Sequence, residues 1–146
     1  MAKLTVIEKV IVLQNIDVFS QVPTEQLAEL AAIAEEVSFL SGDVIYQEGD
    51  ASDALYVVLT GRVRLHRGDE EIAVAGQREA FGTWALFDEV PRVVTATAVE
   101  NTELLRVDQE DFLELLADHV QITQGILRTI AGRLRRLADR TEPRQA

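Results

Sequence analysis

Six glycines, at positions 42, 49, 61, 68, 76 and 82, divide the middle of the chain into pieces six to twelve residues apart. The turn triplets Ser41-Gly42-Asp43, Glu48-Gly49-Asp50, Thr60-Gly61-Arg62 and Arg67-Gly68-Asp69 separate short runs rich in Val, Ile, Leu and Tyr. Pieces of that length hold a strand and a turn but no ordinary helix. In RVRLHR, Val63 and Leu65 alternate with Arg62, Arg64 and His66, the period-two pattern of a strand with one buried face. Many short antiparallel strands at this spacing predict a sandwich or a jelly-roll-like barrel.

Helical patterns flank this region. MAKLTVIEKVIVLQN reads as an amphipathic helix, because Glu8 and Lys9 divide its apolar stretch and no small-residue cleavage site follows. In PTEQLAELAAIAEE, Pro23 marks a helix start, and Leu27, Leu30, Ala31 and Ala34 share one face. DQEDFLELLADH returns to helix with Asp108 as its cap, and a last helix is expected from about 120 to 139. Its stripe of Ile122, Ile126, Ile130, Leu134 and Leu137 needs something to pack on. Gly125 and Gly132 share a second face. Gly125 reads either as a helix junction or as a bend or close helix contact.

With 146 residues the chain suits one domain. The expected layout is N-terminal helices over 1–35, strands over 36–108, C-terminal helices over 109–139 and a tail over 140–146. The fold class is mainly β with flanking helices: an antiparallel β-roll, or double-stranded β-helix, with a C-terminal helix pair.

Charge restricts the partners. Residues 121–146 carry six arginines against Asp139 and Glu142, a net +4, whereas the first 120 residues carry eight basic and 23 acidic side chains, a net −15. Such an acidic body is a poor nucleic-acid platform, since duplex binding needs a broad basic surface. The chain has no cysteine, which excludes disulfides and thiolate chemistry and fits a reducing compartment. No apolar run approaches the ~18 residues of a membrane span, so a cytoplasmic protein is expected.

Residues 81–98, FGTWALFDEVPRVVTATA, interrupt the strands. Gly82 precedes a short apolar segment, and Pro91-Arg92 precedes the next β-branched run. A glycine-flanked helical turn presents backbone N–H groups to an anion, and the planar fork of Arg92 suits phosphate oxygens. The competing reading is a surface arginine paired to Asp88 or Glu89.

The order helix, glycine-punctuated strands, Phe81-Gly82, Ala85-Leu86, Pro91-Arg92 and two helices resembles the cyclic nucleotide-binding domain family. That is the regulatory fold of catabolite-activator-type proteins, protein kinase A regulatory subunits and nucleotide-gated channels. Gly49-Asp50 followed by Leu55-Tyr56-Val57-Val58 and Gly61 also matches the family's β-roll signature. The resemblance implies that Arg92 binds the cyclic phosphate with the backbone around Ala85 and Leu86, and that Gly82 admits the ribose. It also implies a glutamate after the glycine to accept the ribose 2′-hydroxyl, where this chain has Thr83. Losing a hydrogen bond to a charged group costs about 1.5–3 kcal/mol, roughly ten- to a hundredfold in affinity. Trp84 and Val93 replace smaller family residues, and Ser52 stands where glycine is common. Trp84 reads as core or lid, or as a surface on which a base stacks.

The expected ligand site is therefore Gly82, Thr83, Trp84, Ala85, Leu86, Arg92 and Val93, with Arg133 as a secondary contact. The implied function is a nonenzymatic regulatory domain that senses cAMP, cGMP or a similar small anion and transmits closure through the last helix. The alternative is a domain that no longer binds nucleotide and serves as an interaction or dimerisation module through residues 120–138. DNA-binding members of the family place a helix-turn-helix after the last helix. Here TEPRQA follows, so no reader of nucleic acid is expected in this chain, and the effector is a fused or separate domain. Metal-dependent catalysis on a similar barrel needs clustered histidines. His66 and His119 lie far apart in sequence with no H-x-H spacing, and neither a catalytic residue nor a metal ligand nor a bound cofactor is expected.

Overall fold

A computed structural model describes residues 3–141; the expected tail lies largely outside the described residues. Among the described residues, eight strands form two four-stranded antiparallel sheets. The first contains β1 (Ala34–Phe39), β8 (Thr102–Asp108), β3 (Ala54–Thr60) and β6 (Ala80–Phe81), in that order. The second contains β2 (Val44–Tyr46), β7 (Thr95–Ala98), β4 (Val63–Arg67) and β5 (Glu70–Ala75). This is the β-roll expected from the glycine spacing, although β1 begins at Ala34, within the stretch expected to be helical.

Strand β3 shows why the run ALYVV is apolar at every position. Tyr56 and Val58 enter the cluster between the sheets with Val63, Phe81, Ala96 and Leu104. Leu55 and Val57 face the other way, against the helices, with Leu105 and Val107 of β8. Both faces of the strand are buried, so alternation disappears.

The helices cover that outer face. Helix α1 (Val6–Gln14) starts with a capping box: Glu8 N–H donates to Thr5 Oγ1 at 3.2 Å, and Thr5 N–H donates to Glu8 Oε1 at 2.9 Å. These bonds hold the Glu8 carboxyl below its usual range. Helix α2 (Thr24–Ile33) follows Pro23 and buries Leu27, Leu30 and Ala31. Helix α3 (Gln109–Asp118) is capped by Asp108, which accepts from Glu110 N–H at 2.9 Å. Its Phe112 meets Phe19 with ring centroids 6.1 Å apart.

Helix α4 (Val120–Thr141) runs without a break through Gly125, so the helix junction lies at His119 instead. A Cβ at Gly125 would stand 2.7 Å from the Gln21 carbonyl oxygen and 2.9 Å from Val22 Cα. The glycine is a close backbone contact, and the junction reading is incorrect. The apolar stripe of α4 divides: Ile122 and Ile126 are buried, whereas Leu134 is 62% exposed. Among the described residues no helix is long and apolar enough to cross a membrane.

Candidate functional site

The interruption after β6 is a four-residue 3-10 turn, Thr83–Leu86, entered through Gly82 in the left-handed conformation at φ 72°. A Cβ at Gly82 would lie 2.6 Å from Arg92 Nη1. Both the backbone angle and the approach of the arginine therefore require glycine. Within the turn, Ala85 N–H donates to the Gly82 carbonyl at 3.1 Å, so this amide is already used.

Arg92 approaches from the opposite wall. Its backbone is pinned on both sides: Arg92 N–H donates to the Asp50 carbonyl at 2.8 Å, and its carbonyl accepts from Gly49 N–H at 2.8 Å. Ser52 Oγ donates to the Val90 carbonyl at 2.5 Å and joins the same two loops. Proline at 91 donates no competing N–H, and the chain is aimed inward.

The side chain of Arg92 is buried, at 6% residue exposure, so the surface pairing with Asp88 or Glu89 is ruled out. Its Nη2 donates to the Ala54 carbonyl at 2.7 Å, and its Cζ sits 3.9 Å from the centroid of the Tyr46 ring. Asp53, 62% exposed at its side chain, reaches Nη2 at 3.5 Å, a screened contact of small energetic worth. The Nε is buried and makes no hydrogen bond among the described residues. Leaving such a donor unpaired costs about 1–3 kcal/mol. Burial pushes the Tyr46 phenol up from its ordinary pKa, with Arg92 opposing and Tyr56 reinforcing the shift.

Around these groups lies a cleft of about 470 Å³ lined by Gly82, Thr83, Trp84, Ala85, Arg92 and Val93, together with Tyr46, Ser52, Leu65 and Val90. Its size falls in the ordinary range of small-molecule sites, roughly 300–1,000 Å³. Six of the seven expected primary residues meet here. Leu86 does not line it; its side chain is fully buried with the helix-facing core. Trp84 is 70% exposed, which excludes the core reading, and Val93 stands on the rim at 60%. Arg133 is elsewhere, on a neighbouring cleft, ion-paired to Asp17. Sequence reasoning missed Tyr46, Asp53 and the Ala54 carbonyl. Tyr46 offers only its place on a short strand as a signal, and nothing local links it to a residue 46 positions later.

His66 contacts the Gly68 carbonyl and Thr97 Oγ1, each at 2.8 Å, as a strand histidine satisfied by its neighbours. Among the described residues no group of three or more His, Asp or Glu side chains could hold a metal ion.

In this β-roll a side cleft brings together a buried arginine, a glycine-entered 3-10 turn and an apolar wall, the form of a small-molecule pocket. The chain belongs to the cyclic nucleotide-binding domain family, whose model matches residues 36–119. It is 29% identical over 130 residues to the CRP-like cAMP-activated global transcriptional regulator of Mycobacterium tuberculosis, covering 86% of this chain and 58% of that protein. With the cyclic AMP receptor protein of Thermus thermophilus it shares 40% identity over 99 residues, 64% of this chain and 46% of the receptor. The chain thus spans about half the length of these curated relatives. The crystal structure of the N-terminal domain of a transcriptional regulator from Streptomyces coelicolor superposes with a TM-score of 0.81 at 37% identity, covering 90% of this chain and 96% of that one.

Proposed function

We propose that this domain is a sensor for a cyclic nucleotide, cAMP or cGMP, whose phosphate is received by Arg92 at the 3-10 turn. The buried, unpartnered Nε of Arg92 carries the reading. An anion in the cleft supplies the missing acceptor and balances a charge whose partners among the described residues are a π face, one carbonyl and an exposed carboxylate 3.5 Å away. Gly82 supports the reading by leaving room beside the guanidinium. The names of the Mycobacterium and Thermus relatives favour cAMP.

Transmission runs through α4. This helix packs on the 3-10 turn Asp17–Phe19 and is tied to it by the Arg133–Asp17 ion pair. A ligand that draws α4 toward the cleft works against that tie, and signal output follows the balance of the two positions. Calorimetric titration of cAMP and cGMP tests the proposal. Binding of at least one is expected in the parent protein and lost in Arg92→Ala, with folding checked by circular dichroism; retained heat in that variant overturns it.

A second reading, an interaction module assembling through residues 120–138, is favoured by Leu127 and Leu134, which are 58% and 62% exposed on α4. Thr83, where the family uses a carboxylate, also supports it. Absence of nucleotide binding together with a stable dimer would select this reading.

A further inference from the structure

Helix α4 carries a glycine that neither packing nor backbone geometry requires. Gly132 lies inside the helix, where glycine costs about 1 kcal/mol relative to alanine. A Cβ added there has Arg136 Nη1 as its nearest contact, at an ordinary 3.6 Å, whereas at Gly125 it would strike the Gln21–Val22 backbone. What the missing side chain leaves open is the floor of a cleft of about 380 Å³, bordered by Arg128, Arg135 and Arg136 on α4 and by Ser20 and Gln21 across from them. Residues three and four apart are neighbours on a helix surface, so the three arginines frame Gly132 from the turns before and after it. All three are exposed, and in a chain with 25 acidic residues none of them forms an ion pair among the described residues. Asp17 also lines this cleft, but its carboxylate is held by Arg133. The Thr129 hydroxyl is engaged as well, donating to the Gly125 carbonyl at 3.1 Å.

We infer that this cleft is a second anion site, separate from Arg92, and that it takes a compact polyanion with linked phosphate groups. Like charges gathered without a counter-charge repel one another, and an anion among them relieves that repulsion. Guanidinium forks from successive turns suit phosphate oxygens, and three of them suit negative charge spread over two or more linked groups. The Ser20 hydroxyl and the Gln21 amide add donors from the facing segment. The volume falls at the small end of the range for small-molecule sites, which fits a di- or triphosphate. Bound there, the anion bridges α4 to the chain that follows the 3-10 turn Asp17–Phe19 and braces the helix where Arg133 meets Asp17. The site stands independently of the cyclic-nucleotide reading of the first cleft.

Calorimetry with inorganic tripolyphosphate, orthophosphate and an oligo-aspartate peptide tests the site, in the parent protein and in Arg92→Ala. Tripolyphosphate is expected to bind both proteins alike, at least about tenfold more tightly than orthophosphate, and to weaken as salt rises. The double variant Arg135→Gln, Arg136→Gln should lose about tenfold or more in tripolyphosphate affinity. Gly132→Leu should weaken it by a similar factor while keeping the urea midpoint at or above that of the parent, because the side chain fills the floor of the cleft and improves helix propensity. Absence of heat with tripolyphosphate, equal binding of orthophosphate, or unchanged affinity in the double variant overturns the site. Loss of binding in Arg92→Ala overturns it too, by placing the anion in the first cleft. Tighter binding of the peptide than of tripolyphosphate assigns the arginines to an acidic protein partner and rejects the small-ligand site.

Discussion

The guanidinium of Arg92 lies 3.9 Å over the ring of Tyr46, which stands on β2, while Arg92 sits just before β7, the strand that pairs with β2. A desolvated cation over an aromatic face is stabilised by about 2 kcal/mol, comparable with the cost of the unpaired Nε. The pair therefore holds the arginine ready without satisfying it.

Tyr46 titrates late. Its folded pKa is raised above the ordinary value near 10, chiefly by burial. The neutral phenol thus stabilises the fold fully below the unfolded pKa, and this contribution is lost as pH rises through the folded value. Absorbance titration at alkaline pH should show a tyrosine ionising above the ordinary range, and Tyr46→Phe should remove that component. A normal Tyr46 titration would contradict the burial described here.

Gly82→Ala should lose both stability and ligand affinity. The substitution adds a side chain at φ 72° and places Cβ 2.6 Å from Arg92 Nη1 and 3.3 Å from the Ala54 carbonyl oxygen. Backbone strain alone costs about 1–2 kcal/mol. Displacement of the guanidinium should abolish nucleotide binding. Chemical denaturation and calorimetry on the same variant check the two effects.

The two glycines of α4 should respond in opposite directions. Gly125→Ala drives a methyl into the Gln21–Val22 backbone, which cannot yield cheaply, and should destabilise by about 1–3 kcal/mol. At Gly132 the nearest atom to an added Cβ is the flexible Arg136 Nη1 at 3.6 Å, so Gly132→Ala should stabilise by up to about 1 kcal/mol through helix propensity. Midpoints of thermal or urea unfolding give both signs.

Leu134→Glu should leave the fold intact, because Leu134 is 62% exposed. If α4 forms a seam between two copies, sedimentation of the parent protein will show concentration-dependent association and the variant will remain monomeric. Identical sedimentation of the two proteins removes α4 as the seam.

Much of the architecture was legible because it depends on short-range patterns. The glycine spacing, the alternation of β4, the Asp108 cap and the periodicity of α2 are local, and the strands and helices followed. The cleft was legible where one chain segment builds it: Gly82 through Ala85, then Arg92 and Val93. The partners of Arg92 were not, since Tyr46 comes from β2 and Asp53 from a loop about forty residues earlier in the chain. Trp84 misled in the opposite sense. Its type favours burial, but in a four-residue turn Ala85 and Leu86 occupy the inward positions, leaving the indole outside.

By itself, then, the sequence determined that the chain is a glycine-punctuated β-roll between helices, with an arginine returning after a short turn. These are consequences of residue period and backbone freedom, which act between near neighbours. Only the tertiary structure decided that Arg92 is buried over Tyr46, that Gly125 is a contact and not a break, and that Trp84 faces the cleft. Each depends on which distant backbone comes within a few ångströms, and that is fixed by packing the whole core at once.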